Sequence, residues 1–162
     1  MSDKNELLNR IRLFERQEQL LQFPHFSNAD ALDVGLMIVH KAKSCGYPVA
    51  IDITICGSQV FGCALPGTTA NNLRWIKRKV NTVYQVQKST LHVGAILQRD
   101  GKDIEHDWHL PEIDYSYHGG AFPVFVKGTG FIGTICVSGL PQEQDHQLVV
   151  DTLCEYLGLS IN

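Results

Sequence analysis

The sequence predicts an α+β domain in which one antiparallel sheet is covered by helices. Three observations lead there. Residues 49–55 alternate apolar and polar side chains and run into Gly57, the pattern of a half-buried strand and its turn. Residues 119–145, GGAFPVFVKGTGFIGTICVSGLPQEQD, read as two strands about a glycine turn, followed at once by a helix. Segments with a 3.6-residue apolar period flank and separate these hairpins.

Residues 5–23 form the first helix. Leu7, Ile11, Phe14 and Leu21 lie near one face, with Leu8 beside it. Glu18 interrupts that stripe, and Leu13 and Leu20 lie off it. The spread predicts more than one apolar contact surface, one of them for a partner subunit. Pro24 closes the helix. Ser27 and Asp30 form a capping box for a second helix reaching about Cys45. Leu32, Leu36, Val39 and Lys43, with Gly35, trace its expected face, and Gly46 ends it.

The strand at 49–55 sets Val49, Ile51, Ile53 and Ile55 on one side and Ala50, Asp52 and Thr54 on the other. Residues 60–65 return antiparallel, and Pro66-Gly67 ends the hairpin. A turn at Gly57-Ser58 would place Cys63 opposite Asp52. A long helix spans 70–87 through Leu73, Ile76, Val80, Val83, Tyr84 and Gln87. A shorter one covers 91–97. Residues 102–117 are polar, carry Pro111 and are expected to be irregular. The second hairpin joins 121–126 to 131–140 through 127–130. Pro123 lacks an amide donor and belongs at an edge or bulge. Pro141 suits the first position of the last helix, whose buried side is Leu148, Val149, Leu153 and Leu157, and Gly158 ends it.

The 162 residues suit a single domain, 1–162, with 1–26 available for oligomer contacts. A net charge of -3 supplies no general attraction to nucleic acid or anionic lipid. The polar start, MSDKNELLNR, is unlike a secretion signal, and no apolar run approaches the ~20 residues of a membrane span. A cytoplasmic location is expected. The five cysteines, Cys45, Cys56, Cys63, Cys136 and Cys154, are odd in number and lack CxxC spacing, so buried free thiols are expected.

Four constellations carry potential chemistry, each beside a plainer reading. His106 and His109, with His118 nearby, supply imidazoles for a metal, but Pro111 and Asp107 oppose the helix that would align them. A solvated loop is the plainer reading. Arg74, Lys77, Arg78 and Lys79 surround Trp75, a patch suited to an anionic ligand, a subunit contact or a solvated face. Asp52 needs a partner if helices cover it, and Lys79 or Arg78 is the expected one. Ser138-Gly139 with Asp145 and His146 lies at a strand-to-helix corner, where exposed amides receive an anion. Catalysis there would require His146 or His118 to activate Ser138, without a GxSxG elbow. Asp145 in the first helical turn complements the dipole. P-loop, GxGxxG and EF-hand patterns are absent.

These motifs resemble the GlcG/HbpS, haem-degrading-like family, in particular an uncharacterised cytosolic branch. The resemblance covers about 27–157 and rests on VAIDITICGSQVFG, WIKRKVNTV, GGAFPVFV and GFIGTICVSGLPQEQDH. It implies a profilin-like α/β/α sandwich around a five-stranded antiparallel sheet, the fifth strand lying near Ile104 or misread as helix. It matches Lys79, Gly119, Gly120 and Asp145 to positions of the family pattern. It also implies closed homo-oligomers such as octamers or decamers, and haem or small-molecule ligands in some relatives. The expected function is a homo-oligomeric binding or assembly protein, chaperone- or adaptor-associated, with no defined reaction. One alternative is a small-molecule-binding protein or enzyme with a pocket near Gly119-Gly120 and Ser138-Gly139, for a small anionic ligand. The other is haem or divalent metal held through His106, His109 and His118.

Overall fold

A computed structural model describes residues 2–161. Its elements are α1 (Ser2–Leu20), α2 (Asn28–Cys45), β1 (Ala50–Ile55), β2 (Ser58–Ala64), α3 (Ala70–Val86), α4 (Thr90–Asp100), β3 (Ala121–Val126), β4 (Gly130–Ser138) and α5 (Gln142–Leu157). The strands form one sheet in the order β2-β1-β4-β3, and all neighbours are antiparallel. The α+β sandwich and the single sheet are therefore as expected.

Strand pairing sets the two faces. Ala50 pairs with Ser138, Asp52 with Cys136 and Thr54 with Thr134, all on one face. Ile51 and Ile53 pair with Val137 and Ile135 on the other. That second face packs against Ala31, Val34 and Ile38 of α2 and Val149 and Leu153 of α5. Each fully buried Val, Ile or Leu here contributes about 1.5–3 kcal/mol, and this is the larger of the two apolar clusters on the sheet. The first face is covered by α3, and its apolar cluster is only Ala50, Ile76, Val83, Ala121 and Cys136. The thin, polar layer under α3 is where ligand chemistry has room.

Several expectations change in detail. The turn of the first hairpin is Cys56-Gly57, with Ile55 opposite Ser58, and a bulge follows between Ile53 and Thr54. Cys63 consequently faces Ile51, and Gly62 faces Asp52. On α2 the buried side is Ala31, Val34, Gly35, Ile38 and Ala42, leaving Leu32 and Leu36 about half exposed (49% and 52%). The ring of Phe61 lies where a side chain on Gly35 would stand, and that draws the small residues inward. All five thiols are free, but only Cys136 is buried, while Cys45 and Cys56 are exposed.

Four strands occur among the described residues. Ile104 is buried in a turn rather than in a fifth strand. The outer edge of β3 is instead met by one residue, Phe23. Its amide donates to Phe125 O, and its carbonyl accepts from the Lys127 amide, both at 2.9 Å. Pro123 lies on this edge strand, where a missing donor is tolerated.

The first helix docks on α4 through Ile11 and Phe14 against Leu91 and Ala95. Glu18, which breaks the apolar stripe, accepts from the Ser89 amide at 2.7 Å and lies 3.0 Å from Nδ1 of buried His92. Leu13 and Leu20 stay outside, 42% and 40% exposed. The segment before α2 is closed by its capping box: Ser27 and Asp30 bond reciprocally, and Tyr156 Oη donates to Asp30 at 2.6 Å.

Candidate functional site

The site forms where α3 and α5 begin beside the end of β4. Thr69 and Asn72 cap α3 reciprocally, so its first turn is fixed against the sheet. Asn72 Nδ2 donates to Ser138 O at 3.4 Å, tying that turn to the β4 end. Pro141 opens α5 immediately afterwards. Two helix N-termini, each carrying partial positive charge, thus face one cavity of about 270 Å3.

Lys79 and Asp145 form the back wall. Both are 2% exposed. Lys79 Nζ lies 3.2 Å from Asp145 Oδ2 and donates to Val137 O at 3.1 Å. The same carboxylate accepts from the amides of Leu140 (2.9 Å) and Gly139 (3.3 Å). Burial raises the Asp145 carboxyl above the ordinary aspartate range, and Lys79 and the two amides pull it back. Asp145 therefore does for the start of α5 what a bound anion does elsewhere.

The paired glycines permit this approach. Gly120 has φ +133°, and a Cβ there would lie 2.3 Å from Val137 O and 2.7 Å from Lys79 Nζ. A Cβ on Gly119 would meet Gln142 O at 2.4 Å. Only hydrogen fits at either place.

His118 stands at the mouth. The irregular segment 101–120 reaches it because the polar side of α3 pins it. Arg78 Nε donates to Glu112 O (2.7 Å), Asn81 Nδ2 to Asp114 O (2.8 Å), and the Ser116 amide to Thr82 Oγ1 (3.0 Å). The His118 ring contacts Trp75 edge-on at 5.1 Å, and the Arg78 guanidinium lies 4.5 Å from the Trp75 ring centre. Partial desolvation, then Lys79 and Arg78, lower the His118 pKa from its ordinary value, so the ring is neutral at neutral pH. With His118 neutral and Asp145 offset by Lys79, Arg78 is the one uncompensated charge among these four groups.

Of the expected residues, Lys79, His118, Ser138 and Asp145 line this cavity, Gly119 and Gly120 pack directly against Gln142, Lys79 and Asp145 of its wall, and Arg78 does not line it but lies over the ring of Trp75, which does. Asp52 and His146 do not line it. Asp52 is bonded by Thr54 Oγ1 and Gln59 Nε2, each at 2.7 Å, rather than by Lys79 or Arg78. Lys79 turns to Asp145 instead. His146 points into the α1 side, where Nε2 lies 2.8 Å from Gln17 Oε1 and burial lowers its pKa to about 3. Among the described residues, Ser138 has no hydrogen bond to either histidine, and Nδ1 of His118 is engaged by Ser116 Oγ. A Ser–His–Asp relay is not assembled. Asn71, Asn72, Trp75 and Gln142 also line the cavity. The Thr69–Asn72 cap spacing signals one of them, Asn72, in the sequence, but nothing there brings Gln142 beside Gly119.

His106, His109 and His118 do not form a metal centre. Among the described residues no group of three or more His, Cys, Asp or Glu is placed to hold one. His106 is exposed and bonds Asp103 at 2.8 Å, which raises its pKa. His109 is exposed and follows the turn at 104–108, with φ 58°.

Known proteins resemble the chain in sequence and fold. A UPF0303 protein of Pseudomonas entomophila is 41% identical over 94% of this chain and 84% of its own. Another from Burkholderia ambifaria is 44% identical over 94% of this chain and 93% of its own. The crystal structure of Ybr137w superposes with a TM-score of 0.85 at 27% identity, covering 91% of this chain and 87% of that one. The crystal structure of the PduOC:heme complex superposes at 0.68 with 19% identity, over 85% and 98% of the two chains. The family model for HbpS-like proteins, described as haem degrading protein HbpS-like, matches residues 26–153, and the chain belongs to that family.

Proposed function

We propose that the chain is a self-associating binding protein whose cavity beside Lys79 and Asp145 takes a small anionic, hydrogen-bonding molecule. The carrying observation is the convergence there of two helix N-termini, the buried ion pair and the Arg78–Trp75–His118 rim. An anion at this place meets dipole ends and amide side chains, with the uncompensated Arg78 one ring away, over Trp75. No reaction is assigned, because the groups that face the cavity hold charge rather than activate a nucleophile. Leu13 and Leu20 on α1 and Leu32 and Leu36 on α2 are exposed apolar side chains that a second copy would cover, which supports homo-oligomers. A cytoplasmic setting is part of the same reading; among the described residues no helix is long and apolar enough to cross a membrane.

The small anion is favoured here over haem, the group present in the PduOC complex. The cavity is open to solvent and holds about 270 Å3, below the usual range for drug-sized ligands, and among the described residues His118 is the only imidazole lining it.

The test is melting of the full chain and of Arg78→Ala against a panel of carboxylates and phosphates. The reading requires at least one saturable stabilisation that is reduced in the variant. If no anion raises the melting temperature, the binding function is wrong. Light scattering decides assembly: a strict monomer at micromolar concentration removes that part.

A further inference from the structure

A second cavity, of about 600 Å3, lies between the β1–β2 hairpin and α3. Its size falls within the range of small-molecule sites. The floor carries Asp52, 7% exposed, and the α3 wall carries Leu73, Ile76 and Val80. Asp52 is bonded by Thr54 and Gln59 but makes no ion pair among the described residues. Lys77 lines the same cavity and likewise makes no ion pair with it among the described residues. A carboxylate this deeply buried ordinarily meets a cation.

The hairpin is shaped to leave that place open. The bulge between Ile53 and Thr54 shifts the register so that a glycine, Gly62, stands opposite Asp52. A Cβ on Gly62 would come 2.9 Å from Gln59 Nε2, so the missing side chain lets Gln59 fold back over the strand to the carboxylate. The α3 wall is apolar at Leu73, Ile76 and Val80 and polar at Lys77 and Asn81, the floor is anionic, and two neutral donors already orient the carboxylate.

We propose that this groove is a binding site for a small organic cation, an amine or guanidine with an apolar body. The charged head sits at Asp52, and the body lies along Leu73, Ile76 and Val80. The site is separate from the Lys79–Asp145 cavity and does not depend on what that cavity binds.

Isothermal titration of the full chain with 2-phenylethylammonium, n-hexylammonium and agmatine tests it, with 2-phenylethanol as the uncharged control. The expected result is saturable binding of at least one amine, with 2-phenylethanol about tenfold weaker or worse, the loss anticipated for one charge-assisted hydrogen bond. Asp52→Asn should weaken the amine by a similar factor. Gly62→Val, which keeps the charge but fills the groove, should also weaken it and serves if Asp52→Asn fails to fold. Absence of saturable binding by all three amines overturns the proposal. So does equal binding of amine and alcohol, or unchanged binding in the folded variants. Light scattering separates the remaining source of a cation. If Gly62→Val dissociates an assembly and no amine binds the parent chain, a partner's side chain fills the groove and the small-molecule site is wrong.

Discussion

Lys79 Nζ lies 3.2 Å from Asp145 Oδ2, joining the middle of α3 to the first turn of α5 across the end of the sheet. Both side chains are out of solvent, so neither charge is screened by water. Lys79→Met should therefore destabilise the fold by about 3–5 kcal/mol, the cost of leaving one buried charge unpaired. The double variant Lys79→Met with Asp145→Asn should recover much of that loss. Urea unfolding of the two variants measures it, and a double variant no better than the single one would show that the ion pair is not the cause.

Gly120→Ala should cost about 2 kcal/mol or more, because φ +133° and the Val137 carbonyl at 2.3 Å leave no place for a methyl group. Gly128→Ala, also at positive φ but with nothing within 4 Å of its Cβ, should cost less. Thermal melts of the two variants compare steric contact against backbone strain alone.

Acid sensitivity should come from two groups in different pH windows. His146 has its pKa lowered to about 3 from 6.5 by burial, so the folded state resists its proton. Its contribution is complete above about pH 6.5 and declines as pH falls toward 3. Asp30 is lowered from 3.8 to about 2, chiefly by the Tyr156 hydroxyl and then the Ser27 amide. Its contribution is complete above about pH 4 and is lost below. His146→Gln should flatten the melting-temperature profile between pH 6.5 and 4, whereas Asp30→Asn should flatten it only below about pH 4, at the cost of about 1 kcal/mol of stability at neutral pH.

Haem titrated into the full chain should give no saturable Soret shift attributable to His118. A shift that disappears in His118→Ala would favour haem over the small anion at this site.

The sheet was legible because period-two alternation in residues 49–55 and the glycine-bounded hairpin at 119–140 are local signals. The core face of α2 was not, because Ala31, Val34 and Ile38 carry less apolar bulk than Leu32 and Leu36, and Phe61 from another strand decides which side turns inward. Lys79 and Asp145 were individually readable through the family resemblance, but their pairing was assigned to Asp52, since strand and helix spacing says nothing about which carboxylate a lysine reaches. Likewise Glu18 looked like a defect in α1 until Ser89 and His92 supplied its partners. His146, adjacent in sequence to Asp145, faces the opposite side because neighbours on a helix do not share a face.

The binding claim is tested most directly at Trp75, which stands between Arg78 and His118 at the cavity rim. With Trp108 replaced by Phe, its fluorescence becomes the sole tryptophan signal. Titration with whichever anion stabilises the fold should give a saturable change at the same midpoint as the melting response, weakened by Arg78→Ala. Stabilisation with an unchanged Trp75 signal would place the anion elsewhere and contradict the assignment.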